Sequence, residues 1–317
     1  MKGMILEIFY TSLISTLKIS LVVLSTIYIV NYFLNKGLLE KISNFLAPIT
    51  EKLKLNSFLI SSIMVSFLSP TVGYTLLSDG IKDNKLTEKE VLFGSLANSF
   101  PAVFSHALTY YVPVVIPILG YTGIIYVILR LFIAFVKSII GILLIKATSG
   151  GEKYLKENLK IEKPKNINKK FEKSPFNKTF DFSKRFIPLM FLSMFGVIYL
   201  SKMGFFEHFS ILILPITSFF NLNPNTGILA ITGVINVSAA MVMAGTFLKS
   251  SSLTPNEVII GLLLGNIVAF STRSVKHSIP LHFSLFGPKR GSKVILLNAS
   301  LTIILDIFII SFLIIYM

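Results

Sequence analysis

The chain repeats itself at a fixed offset of 167 residues, so its fold must be built twice from one ancestral unit. Gly37, Glu40, Ser43, Pro48, Ile49, Thr50, Leu55 and Asn56 return as Gly204, Glu207, Ser210, Pro215, Ile216, Thr217, Leu222 and Asn223. Leu86-Thr87-x-x-Glu90-Val91-x-x-Gly94 returns as Leu253-Thr254-x-x-Glu257-Val258-x-x-Gly261, and Pro113 and Gly120 meet Pro280 and Gly287. About 18 identical pairs align without a gap between 37–120 and 204–287. In a membrane protein such duplication points to a transporter, because two related halves can build one site and alternate its exposure.

Composition places the chain in a membrane. It is 53% hydrophobic, with mean hydropathy +0.76 and only 14% charged residues. Apolar runs recur near 9–34, 57–78, 91–119, 121–147, 186–203, 225–248, 258–286 and 294–317. Several exceed the ~20 residues a helix needs to cross the hydrocarbon core. The first run is too long for a signal-peptide core and lacks a clear small-x-small cleavage site, so it reads as a retained helix. The absence of cysteine removes disulfides, thiolate metal sites and thiol redox chemistry.

The net charge of +15 does not point to nucleic acid. Eleven of the 30 Lys/Arg lie in one hydrophilic stretch, 151–185, with no aromatic interleaving or nucleic-acid motif. It reads as a basic cytoplasmic linker. The remaining charges set the topology. If 57–78 and 225–248 cross the membrane, flanking Lys/Arg divide about 17 to 8 between the two sides. If each instead enters and returns, one side collects 22 and the other 3: Lys2, Lys202 and Lys249. The positive-inside rule favours the second arrangement. Helix-interrupting residues near the middle of each segment agree, Ser69-Pro70-Thr71-Val72-Gly73 in one and Asn236-Val237-Ser238 in the other. Three spans per half then require the halves to be inverted. The amphipathic segments 37–56 and 204–223, bent at Pro48 and Pro215, are expected flat at opposite interfaces.

The expected fold is therefore an all-α polytopic membrane protein with two inverted-topology repeats. Each repeat is a helix, an interfacial amphipathic helix, a re-entrant hairpin and two helices. The first spans 1–150, the linker 151–185, and the second 186–317. Both termini are expected outside the plasma membrane.

This order of elements, with Leu86-Thr87…Glu90…Gly94 to Pro113 and its copy up to Pro280, resembles the nucleoside-recognition, or Gate, domain. That domain is shared by concentrative nucleoside transporters and the membrane part of ferrous-iron transporter B. The Gly-Gln-Thr-Glu-Ala-Pro-like hairpin of the former and the Cys-bearing hairpin and GTPase loop of the latter are absent. The resemblance implies a substrate site near the midplane, between the hairpin tips and the helices that follow. Here the tips are Ser69, Pro70 and Thr71, and Asn236 and Ser238. The following helices offer Asn98, Ser99, Ser105 and His106, then Asn266, Ser271, Thr272 and Arg273.

Apart from the resemblance, these are polar groups inside apolar runs, where an unpaired one is costly. A single Ser or Thr can instead bond its own helix backbone. His106 and Arg273 occupy the same repeat position and either meet an anionic substrate group or, for Arg273, snorkel with Lys276 and His277. Asp306 sits near the centre of the last span. It forms an ion pair with Arg130 or Lys137, or it serves as a Na⁺ or H⁺ coupling site.

Catalysis is not expected: no Ser-His-Asp order, His-Glu-x-x-His or carboxylate-rich metal cluster is visible. The expected activity is secondary transport of a small polar solute, nucleoside-like or a small organic anion, by alternating access. No cofactor is expected beyond a coupling Na⁺ or H⁺. The partners are the lipid bilayer and the substrate, not nucleic acid, and homo-oligomerisation is left open. The competing reading is a non-transporting membrane subunit that assembles with a partner protein.

Overall fold

The computed structural model describes residues 2–38, 41, 45, 55–148, 174–204, 221–269 and 278–316. Most of the expected interfacial segments 37–56 and 204–223, and most of the stretch 151–185, therefore lie outside the described residues. No β-strand occurs among those described.

In the first half, α1 spans Lys2–Asn35, α2 Ser57–Ser66, α3 Pro70–Lys82, α4 Glu88–Ala97 and α5 Ser99–His106. A π-helical segment, Ala107–Val115, leads into α6 (Ile116–Leu119) and α7 (Tyr121–Thr148). In the second half, α8 spans Pro175–Lys202, α9 Pro224–Ile235, α10 Val237–Lys249, α11 Pro255–Val268 and α12 Ile279–Ile315.

Local geometry recurs at the 167-residue offset. Thr87 and Glu90 form a capping box at the start of α4, and Thr254 and Glu257 form the same box at α11, with matching 2.8 Å and 2.9 Å bonds to the carboxylate. Each satisfies N–H groups that a helix start leaves unpaired. Asn56 caps α2 through Phe58 N–H and reaches the Lys85 carbonyl; Asn223 does the same with Asn225 and Ser252. Gly120 and Gly287, at φ 59° and 75°, turn the chain before α7 and within α12, a backbone region that glycine enters without a Cβ penalty.

The pairs α2–α3 and α9–α10 are each broken and folded back on themselves. Ser62 Oγ donates to the Gly73 carbonyl at 2.7 Å, and a Cβ on Gly80 would lie 3.3 Å from the Phe58 ring. The breaks are narrower than the sequence pattern predicts. Thr71 and Gly73 are already helical, because Pro70 occupies the first helical turn, where its missing N–H costs nothing. In the second pair only Asn236 leaves the helix; its side chain caps Ser238 and Ala239 N–H.

Conversely, the expected helix 91–119 is interrupted. Asn98 (ψ −5°) ends α4, and the stretch around Pro113 widens to π-helical spacing, because proline cannot supply the i→i−4 bond. A helix also begins inside the stretch 151–185 expected as a linker. Helix α8 begins at Pro175, where Ser174 Oγ accepts from Asn177 N–H.

Helices α1 and α8 occupy equivalent repeat positions and pack antiparallel along their length. Lys178 Nζ donates to Asn35 Oδ1 at 2.9 Å near one end, and Lys202 pairs with Glu7 at 2.7 Å near the other. At the far side of the molecule, Glu88 pairs with Lys293 at 2.7 Å and lies 3.9 Å from Arg290. Four helices among the described residues are long and apolar enough to cross a membrane: Gly3–Asn35, Glu88–Leu119, Tyr121–Thr148 and Ile279–Ile315. Their outward faces carry large exposed apolar side chains such as Leu21, Ile128, Phe308 and Phe312, as a lipid-facing surface requires.

Candidate functional site

A cavity of about 310 Å³ opens between the two halves. It is walled by α5, α7, α11 and α12, with Tyr74 of α3, one turn beyond the Ser69 break, at its edge.

The tight seat of α7 against α4 and α5 forms one wall. At Gly141 a Cβ would lie 2.6 Å from Ala97 N and 2.7 Å from the Phe93 carbonyl, so only glycine permits this approach. Three residues earlier, Ser138 Oγ accepts from Phe100 N–H and donates to the Ala97 carbonyl, both at 2.8 Å. These are the backbone groups released by the helix break at Asn98, and Pro101 has no N–H to offer Ala97. The repair lets the helix restart at Ser99, which faces the cavity.

On the opposite wall, Asn298, Thr302 and Asp306 rise one turn apart along α12. Asp306, 1% exposed, pairs with Arg130 Nη1 at 3.2 Å. Lys137 Nζ donates to Thr302 Oγ1 at 2.9 Å, and Thr302 donates to the Asn298 carbonyl at 2.8 Å. The Asn298 amide donates to Ser95 Oγ at 2.9 Å, while its oxygen accepts from Ser99 Oγ at 3.4 Å. Asn266, on α11, donates to the Tyr126 hydroxyl at 2.9 Å. The His282 ring lies tilted against Tyr74, ring centroids 4.8 Å apart, and its Nδ1 meets the Ser278 carbonyl at 2.9 Å. The cavity thus combines groups from both halves.

Of the residues expected from sequence, Ser99, Arg130, Lys137, Asn266 and Asp306 line this cavity, and the Arg130–Asp306 pairing is one of the two foreseen. Ser271, Thr272 and Arg273 lie outside the described residues. The other eight are elsewhere. Ser69 is buried at the first helix break and Pro70 starts α3, while Thr71 is exposed. Asn98, 1% exposed, points back to Ser62, donating to its hydroxyl at 2.6 Å and so clamping the α2–α3 pair. Ser105 accepts from Thr109 through its carbonyl, and His106 stacks on Tyr110 at 5.2 Å. Asn236 caps α10, accepting from Ser238 N–H at 2.9 Å. Sequence reasoning missed Tyr74, Ser278, His282, Asn298 and Thr302. The signal for two of them was present, since Asn298, Thr302 and Asp306 fall at i, i+4 and i+8. No group of His, Asp and Glu able to hold a metal occurs among the described residues.

The apolar helices and their lipid-facing surface define a multi-pass membrane protein, with charged and polar groups on the walls of an internal cavity. The chain belongs to the Gate, or nucleoside-recognition, family: the family model matches residues 16–122, the stretch from α1 to the start of α7. An uncharacterized protein of Methanocaldococcus jannaschii is 52% identical over 93% of this chain and 92% of its own length. Two further uncharacterized proteins of that archaeon are 28% identical over 91% of this chain and 94% of theirs, and 27% identical over 77% of each. No solved structure matches the chain. The family gives the protein a transport-related role in the membrane.

Proposed function

We propose that the protein is a secondary transporter that carries a small polar solute, nucleoside-like or a small organic anion, across the cell membrane by alternating access. The observation that carries this reading is the inter-half cavity with buried Lys137 and Asp306 and half-buried Arg130 on its walls. Charges inside a membrane span are expensive and mark solute or ion pathways. An assembly subunit has no use for such a cavity.

In this reading residues 1–150 and 186–317 are inverted Gate-type repeats joined by a cytoplasmic linker, and α2–α3 and α9–α10 are re-entrant hairpins. Several contacts support it. Equivalent helices α1 and α8 run antiparallel, as inversion demands. Lys293, Arg290 and Glu88 would share the basic, cytoplasmic side; Lys202 and Glu7 would share the outer side. The first hairpin takes part through Tyr74 rather than through its tip. Asp306 is the candidate for coupling transport to Na⁺ or H⁺.

Reconstitution into proteoliposomes tests the reading. Uptake of labelled uridine or of organic anions, above protein-free vesicles and responsive to a Na⁺ or pH gradient, is the expected result. Correctly inserted protein that moves none of them would favour the subunit role.

A further inference from the structure

Among the described residues, the charges around the cavity do not balance. Arg130 is paired with Asp306, but Lys137, 8% exposed and in the middle of α7, has no carboxylate within ion-pair distance among the described residues. Its contact is the Thr302 hydroxyl, which passes its own proton to the Asn298 carbonyl. An ammonium carries three donors, so its remaining N–H groups have no partner among the described residues. Buried charges are ordinarily paired, and an unpaired one on a cavity wall calls for a counter-ion from outside the chain.

We propose that Lys137 anchors the single negative charge of an organic monoanion with an apolar body. This rests on the cavity being the transport site. Lysine is a point charge that needs no planar, two-pronged partner, so a carboxylate can approach it with one oxygen. The amide and hydroxyl groups of Asn298, Thr302 and Ser99 lie beside it. Val103, Ile133, Ile295 and Ile303 on the same walls favour a hydrocarbon body, and Arg130, the other cation there, is already paired with Asp306, so a second negative charge would find no free cation among the described residues. The volume of about 310 Å³ falls at the lower end of small-ligand pockets, enough for a molecule the size of benzoate.

The test is binding to the purified full-length protein, followed by thermal stabilisation and calorimetry. The probes are benzoate, butyrate and isovalerate, against benzamide, succinate, inorganic phosphate and uridine. At least one monocarboxylate should bind saturably, while the neutral isostere benzamide, the dianion, phosphate and uridine should not. Lys137→Met should weaken that binding at least about tenfold, as expected when one partner of a buried charge pair is removed, and Lys137→Arg should keep most of it. Removing an uncompensated buried charge should leave the thermal midpoint of the empty protein unchanged or higher, so misfolding is not the expected explanation of lost binding. If Lys137→Met fails to fold, Lys137→Gln takes its place.

The proposal is overturned if none of the three monocarboxylates binds, if benzamide or uridine binds as tightly, or if the Lys137 variants bind like the wild type. Lys137-dependent binding without uptake in vesicles would overturn the transport reading alone. Uridine uptake without monocarboxylate binding would overturn this proposal alone.

Discussion

The Ser78 hydroxyl donates to the Leu285 carbonyl at 2.6 Å, tying α3 of one half to the chain just before Gly287 of the other. The positions 167 residues away repeat the contact in the opposite sense. Gly245, the counterpart of Ser78, lies against Ile118, the counterpart of Leu285, where an added Cβ would sit 3.1 Å from the carbonyl oxygen. Residue i of one copy meets residue j of the other and j meets i, the reciprocity that the proposed pairing of two related halves requires. Two such contacts also locate where the halves are fastened.

Both fastenings are open to substitution. Ser78→Ala should cost about 1 kcal/mol, the net value of one hydrogen bond. Gly245→Val should cost about 1–3 kcal/mol through overpacking against Ile118. Thermal unfolding in detergent measures each, and no loss for Gly245→Val would contradict the close approach.

The proposed inversion can be read by labelling. Asp83 and Ser250 are repeat counterparts that end α3 and α10 with nearly the same backbone angles. The chain has no cysteine, so Asp83→Cys and Ser250→Cys need no background removal. An impermeant maleimide should reach Ser250→Cys from outside the cell and Asp83→Cys only from the cytoplasmic side. Labelling from the same side would eliminate the inverted arrangement.

Asp306→Asn should be among the more damaging single changes at the cavity. It strands Arg130, whose side chain is only 14% exposed, beside a neutral group. Breaking a buried pair from one side costs about 3–5 kcal/mol, whereas removing both charges is far milder. Asp306→Asn with Arg130→Met should therefore recover much of the stability lost by Asp306→Asn alone. Additive losses in the double-mutant cycle would mean the two side chains do not interact.

The capping boxes show how much of the fold was legible. Leu-Thr-x-x-Glu stood out because it occurs twice, and each copy proves to start a helix on a buried glutamate, Glu90 at 2% and Glu257 at 8% exposure. Glu90→Ala and Glu257→Ala should each cost about 1 kcal/mol through the loss of the matching capping-box bonds. Apolar runs and Gly/Pro punctuation likewise gave the helices and turns. The cavity was less legible, because polarity within an apolar run says that a group needs a partner without saying which. Asn98 answers that need with Ser62 inside its own half, whereas Asn266 answers it with Tyr126 across the interface. Only the packing of α7 on α4, fixed by Gly141, decides which of these polar groups face the opening.

Ser138 joins that packing to the site. Its hydroxyl closes both backbone groups left open at the Asn98 break, and Ser99 faces the cavity only because the helix restarts there. Ser138→Ala removes nothing from the cavity wall, yet it leaves Phe100 N–H and the Ala97 carbonyl unpaired in an apolar interior, at about 1–3 kcal/mol each. Thr109→Ala is the matched control. That hydroxyl returns to the Ser105 carbonyl one turn back, so its loss should change stability by less than about 0.5 kcal/mol. Ser138→Ala should lower the thermal midpoint well below that of Thr109→Ala and weaken ligand binding with it. A full-strength site in a destabilised Ser138→Ala protein would show that the break and the cavity are independent.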